Sequence, residues 1–388
     1  MDETVFKARI ITGLQEVAPE AWNRIANPPG ERFDPFLSWE FLEALEASGA
    51  AVPETGWSPC HILIEGPGEN LLAAMPLYAK TNSQGEFVFD HSWADAYERA
   101  GGSYFPKLLS AIPFTPVTGR RYLVPPGPDS ERLESALLSA AIQVAAQNDF
   151  SSVHINFITP NTAEKMAETG LLVRTDQQFH WQNDDYTSFD GFLADLSSAK
   201  RKNLRKERSK AQSGLAFRHL TGDAITEAHW DAFFEFYMDT GARKWGYPYL
   251  NRNTFKLLGE RLSDKILLIL AMEDETPIAG ALNFIGSDTL YGRYWGCTDP
   301  RPFLHFETCY YQAIDYAIAR GLKTVEAGAQ GGHKLARGYV PVTTHSAHWI
   351  AHKGLRDAIG DYLERERSAV EHEAEYLNQR TPFRKDTP

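Results

Sequence analysis

Hydrophobic spacing along the chain alternates between helical and strand periods. Phe306, Cys309/Tyr310, Ala313 and Ala317 recur at helical intervals within residues 303–320, and the run stops at Gly321. Residues 288–294 before it alternate as a strand does, and 324–327 after it form a short strand. That strand delivers Gly328, Gly331 and Gly332 into a loop carrying His333, Lys334 and Arg337. Reactive side chains just past a strand end, where glycine lets a ligand approach the backbone, make a candidate site. Further upstream, Trp230, Phe233, Phe234 and Tyr237 fit the buried face of a helix. The segment RKWGYPYL that follows sets Trp245, Tyr247 and Tyr249 around Gly246 and Pro248, a stacking surface or a loop wedge.

The same patterns occur twice in the same order. Phe41-Leu42 and Phe192-Leu193 each open a helix after a serine, and residues 62–78 match 268–284 as an apolar hairpin. Residues 141–156 match 313–328 as a helix end and strand, and His180-Trp181 matches His348-Trp349. This predicts two lobes, 1–185 and 186–388, each combining antiparallel strands, helices and a mixed sheet. The first carries an insert near 85–125 with His91, Trp93, Tyr97, Arg99 and Tyr104. The second has a basic helix at 200–210, where the first has Glu43 and Glu46. Helical spacing puts Lys200 and Asn203 on the side of Leu193, Leu196 and Leu204, with Arg201, Arg205 and Arg208 elsewhere. Such a run is either a solvated face or a contact for a phosphate chain or RNA backbone.

A length of 388 residues fits two or three domains at about 150 residues each. With 43% hydrophobic residues, a sizeable core is affordable to the chain, and the formal charge of −12 argues against a protein that coats nucleic acid over its whole surface. Three cysteines without CxxC spacing, an acidic N-terminus and no apolar run of about 20 residues point to a cytoplasmic protein without a membrane span.

RKNLRKERSKAQSG resembles the basic helix of the Fem-type aminoacyl ligases. RKWGYPYL, LYGRYWG, LHFETCYYQAIDYA and EAGAQGGHKLARGYVP resemble a FemAB-like family of the GNAT acyltransferase superfamily, related to peptidoglycan biosynthesis or recognition. The likeness covers most of the chain, through motifs in the second lobe and mainly through architecture in the first. Gly332 departs from it, standing where the family pattern has an acidic residue. The resemblance implies an α/β fold of two tandem GNAT-like lobes that transfers an acyl or aminoacyl group to a small-molecule or peptide amine. It also implies that strands 289–296 and 324–328 splay around the donor carbonyl, with backbone N–H groups aimed at the developing oxyanion.

No tightly bound cofactor is expected; the donor is aminoacyl-tRNA or acyl-CoA. The glycine loop that holds the CoA pyrophosphate in ordinary GNAT enzymes is replaced by GCTDPRP at 296–302, whose Pro300 and Pro302 lack amide donors. That favours charged tRNA, with Lys200, Arg201, Asn203 and Arg205 on its backbone, although Arg301 or the glycine loop remains a phosphate site. The alternatives are an acyl-CoA-dependent N-acetyltransferase with an atypical CoA pocket and a non-catalytic muropeptide-recognition module.

Glu326 and His333 are the candidate bases for an attacking amine; Glu326 reads equally as an ion-pair partner of Arg337 or Lys334. Lys334 and Arg337 suit a carboxylate or phosphate, and Arg293, Trp295 and Glu307, with Trp245 and Tyr249, suit substrate. Tyr311 shares a helix face with Glu307 and is expected at the same cleft. Cys309 reads as a core thiol. His345, His348 and His352 lack a carboxylate or thiolate at a recognised metal spacing.

Overall fold

A computed structural model describes residues 6–244, 248–328 and 331–384. The strands in chain order are β1 (Lys7–Ile11), β2 (Trp57–Pro59), β3 (His61–Glu65), β4 (Leu71–Met75), β5 (Tyr78–Lys80), β6 (Lys107–Ser110) and β7 (Ser152–Ile158). There follow β8 (Leu172–Gln182), β9 (Ala216–Leu220), β10 (Ile266–Glu273), β11 (Thr276–Ile285), β12 (Thr289–Cys297), β13 (Thr324–Glu326) and β14 (Val340–Ile350). The fold is mixed α/β, in two compact units: Met1–Asp176 with Thr343–Glu371, and Gln177–Val342 with His372–Pro388. A cut at residue 185 divides the chain by sequence pattern, whereas these units follow strand pairing. β14 pairs with β7, His348 opposite His154, and β8 pairs with β13, His180 opposite Glu326.

In the first unit β1, β3 and β4 form one antiparallel sheet, and β2, β5, β6, β7 and β14 are neighbours in another. β6 and β7 run parallel, so the chain must cross over between them, and the helix Ser130–Gln147 does so. Its Leu137, Ala141 and Ala145 pack on Ile62, Met75, Val153 and Ile155. Beyond Ser110 the chain continues through buried Ala111, Ile112, Phe114 and Val117.

The insert covers a second, polar interior in this unit. The Nδ1 atoms of His154 and His348 lie 2.7 Å apart, so one ring donates and the other accepts. Tyr104 donates to Asp90 at 2.7 Å, Lys107 reaches Glu86 at 2.8 Å and also Asp90, and the Trp93 ring meets the His348 ring edge-on at 5.0 Å. Burial pushes His154 down to about 3, with the Lys107 charge acting in the same direction, and lowers His348 as well.

In the second unit β9, β10, β11 and β12 form an antiparallel meander; β13 joins β12 in parallel and β8 closes on β13. Helical turns over 304–320 provide the crossover and end at Gly321, whose φ of 64° suits a residue without Cβ. Trp181, Phe192, Leu196, Leu204, Ile314, Val325 and Tyr339 make the core beneath. The helix Glu227–Lys244 buries Trp230, Phe233, Phe236 and Tyr237, so Phe236 takes the core place expected of the half-buried Phe234.

Serines cap both matched helices: Ser38 accepts from Phe41 N–H and Ser188 from Gly191 N–H. Both matched hairpins form antiparallel pairs, β3 with β4 and β10 with β11.

Candidate functional site

β12 and β13 share a ladder at only three positions, Thr289–Thr324, Leu290–Val325 and Tyr291–Glu326, while β12 runs on to Cys297. Opposite, β11 and β12 slip register: Leu282 faces Tyr294 and Asn283 faces Gly292, leaving Arg293 as the extra residue of a bulge. A bulge re-aims a side chain, and here it points Arg293 toward the end of β13. Arg293 Nη2 donates to Glu326 Oε2 at 2.7 Å, with both side chains buried. The ion-pair partner of Glu326 is therefore Arg293 rather than Arg337 or Lys334.

His180 Nε2 lies 3.8 Å from the other Glu326 oxygen and 3.2 Å from Gln178 Oε1, and burial lowers its pKa against the pull of Glu326. Lys334, in the 3-10 turn Gly332–Arg337, is buried and donates to Gly328 O at 2.9 Å. Burial, helped by the Arg293 charge, pulls its ammonium down to about 7. A lysine so placed serves as a proton acceptor near neutral pH better than as an exposed cation.

A cavity of about 110 Å³ lies against this cluster, lined on β11 and β12 by Ala281, Leu282, Asn283 and residues Gly292 to Trp295. His305, Cys309, Tyr310 and Ala327 complete it. The crossover helix loosens into a π turn at Glu307–Tyr311, a feature frequent at functional sites, and this turn brings Cys309 and Tyr310 to the cavity. Cys309 is thus half-buried, packed against the core on one side and part of the lining on the other.

The remaining expected residues divide. Trp295 lines the cavity, its ring centroid 5.1 Å from that of His305. His333 Nε2 lies 2.9 Å from the Tyr310 hydroxyl, next to the cavity wall. Glu307 is not at the cleft: it is fully buried and receives Arg208 at 2.9 Å, Gln212 at 2.9 Å and Gln312 at 2.7 Å. Tyr311 is also buried, donating to Glu207 at 2.6 Å. Arg337 binds the same Glu207 at 2.9 Å and lies 3.4 Å over the Phe306 ring, which makes it a structural clamp. Tyr249 is exposed, and Trp245 lies outside the described residues.

The helix Ser198–Ala211 buries Leu204 and Ala211; Asn203 is exposed rather than inward, and Lys200 and Arg201 are half-buried. Arg205 meets Asp190 at 2.8 Å in solvent, and Arg208 fixes the helix through Glu307 and Asp315. Arg301 is engaged by Glu273 and Asp299. His180 and Asn283 escaped the sequence reading as site residues: His180 stood out only as part of a repeated His-Trp pair, and nothing local marks Asn283.

A mixed sheet whose parallel strands part over a small cavity places the protein in the α/β class. The family matched over residues 13–385 is described as peptidoglycan biosynthesis/recognition, and the chain belongs to this FemAB-like family. Among solved structures it is similar to FemX, with 13% identity over 91% of this chain and 100% of that one and a TM-score of 0.54. It is also similar to the C-terminal domain of a putative lysylphosphatidylglycerol synthetase from Agrobacterium fabrum, with 9% identity over 88% of this chain and 95% of that one and a TM-score of 0.52. At these identities the likeness is one of fold. No curated protein matches. Among the described residues, no helix is long and apolar enough to cross a membrane.

Proposed function

We propose that the second unit transfers a small acyl or aminoacyl group to an amine, with charged tRNA as the favoured donor. The observation that carries this reading is the parting of β12 from β13 beside a cavity and a buried lysine. A donor carbonyl would occupy the place of a strand neighbour there, with its acyl substituent in the cavity. At roughly 30 Å³ per water-sized group, 110 Å³ suits a substituent of a few heavy atoms rather than a fatty chain.

The attacking amine forms a C–N bond to the carbonyl carbon, and the ester C–O bond breaks. Lys334, as the free amine, takes the proton that the nucleophile loses and returns it to the leaving oxygen. Arg293 holds the Glu326 carboxylate beside His180, which orients this proton-carrying side of the cleft. The family description favours an amine of a peptidoglycan precursor peptide as acceptor.

The basic helix supports the tRNA form of the donor. Filter binding of charged tRNA over a salt series tests it: affinity should fall linearly in log–log form as salt rises. Absence of binding at low salt, together with thermal stabilisation by acetyl-CoA or longer acyl-CoAs, would transfer the donor role to CoA esters.

A further inference from the structure

Asn283 is fully buried on β11, and both hydrogens of its amide nitrogen are directed at backbone: Nδ2 donates to Leu267 O and to Ala281 O, each at 3.3 Å. Two carbonyl acceptors on one side fix the orientation of the carboxamide, so its oxygen faces the other way. That oxygen has no hydrogen-bond partner among the described residues. It faces Gly292 in the bulged register, 3.2 Å from where a Cβ on that glycine would stand, and Asn283 lines the cavity. A buried amide oxygen without a donor is costly to keep unless something supplies one.

From this geometry we infer that Asn283 is a specificity-determining residue that reads a hydrogen-bond donor on the transferred group, selecting an α-aminoacyl over a plain acyl donor. The inference rests on the transfer reading above and narrows it to a substrate class. An α-ammonium, two bonds from the donor carbonyl carbon, is the group paired here with Asn283 Oδ1, at a residue that lines the cavity. The nearest cation in the lining, Arg293, is neutralised by Glu326 at 2.7 Å. Trp295 and Tyr310 in the same lining are aromatic, and aromatic rings attract a cation. An unsubstituted acyl group would leave the oxygen unpaired, and a site built to pair a polar substituent rejects the analogue lacking it. Gly292 is part of the device: a methyl there would crowd both Asn283 Oδ1 and Glu326 O, the latter at 3.3 Å.

The test compares two stable mimics of the charged tRNA end by calorimetry: 3′-deoxy-3′-(L-alanylamino)adenosine and its 3′-propionylamino counterpart, which lacks only the α-ammonium. The unmodified protein should bind the alanyl compound about tenfold or more tightly than the propionyl one. In Asn283→Leu and in Gly292→Ala the two should come within about twofold of each other. Gly292→Ala and the two-ligand comparison on the unmodified protein carry the test where Asn283→Leu does not fold. Equal binding of both mimics by the unmodified protein overturns the role of Asn283 while leaving acyl transfer standing. A preference that survives in both variants also overturns it. Failure of both mimics and of acetyl-CoA to bind overturns the transfer reading itself.

Discussion

Lys334 sits out of solvent on the Gly328 carbonyl, and this burial, helped by the Arg293 charge, holds its ammonium down to about 7. If it is the proton acceptor, kcat/KM rises with pH through about 7 and then levels, because only the free amine takes a proton. Lys334→Arg, which keeps the charge and cannot release it, should lower kcat/KM by about 10²-fold or more and flatten that limb. The same group affects folding in a definite direction. Its folded pKa lies below the ordinary 10.5, so the unfolded chain binds more protons between about 7 and 10.5 and stability from this group grows with pH across that window. Arg293 poses a different question, since its loss leaves Glu326 buried without its cation. Arg293→Met should cost about 3 kcal/mol or more in urea unfolding.

The basic helix is an element whose charge has two uses. Lys202, Lys206 and Lys210 are exposed, whereas Arg208 is spent on Glu307 and Asp315, at 2.9 and 2.6 Å. Arg208→Ala should therefore destabilise the second unit by about 3–5 kcal/mol through the orphaned Glu307, as measured by urea unfolding, while Lys202→Ala leaves stability within about 0.5 kcal/mol and weakens tRNA binding. Neither use could be told from helical spacing alone. Leu204 is legible as a buried position, but the partner of Arg208 lies 99 residues away and belongs to a π turn that no periodicity announces. Strands and helix ends were legible where local chemistry sets them: Gly321 stops its helix, and Ser38 and Ser188 start theirs. The two strands and the glycine loop after the second were legible from their spacing, and the parting of the strands only through the family resemblance. The Arg293–Glu326 pair was not, because it depends on a one-residue slip between β11 and β12. Arg337 and Glu307 meet Glu207 and Arg208 of the 198–211 helix, partners that spacing within their own segments does not show. A charged residue near a glycine loop looks like a ligand contact until the helix that neutralises it is in place.

On the scale of the whole molecule, the two segments matched by pattern, 141–156 and 313–328, place different residues at one equivalent strand position. Glu326 faces His180 in the second unit, and His154 faces His348 in the first. In the second unit Glu326 is tied to Arg293, which lines the cavity; the first-unit pair is sealed by Trp93, Tyr104 and the acid–lysine cluster of the insert. Burial holds both histidines of the sealed pair neutral, His154 down to about 3, with Lys107 and Arg174 adding to the effect and Asp90 opposing it. Because the unfolded rings titrate near the usual 6.5, their contribution to stability is whole above that pH and is lost as pH falls toward 3. Thermal unfolding followed from pH 8 to pH 4.5 should show this loss, and His154→Asn with His348→Asn should flatten the slope.

Transfer itself gives the most direct test. tRNA carrying a radiolabelled amino acid is mixed with the protein and a peptidoglycan precursor peptide bearing a free amine, and the label on the peptide is counted over a single turnover. The expected result is label in amide linkage to that amine, slowed at least 10²-fold in Lys334→Arg. Label that stays on the tRNA with every amine acceptor, or that moves equally fast in the variant, would contradict the assignment of the β12–β13 cleft.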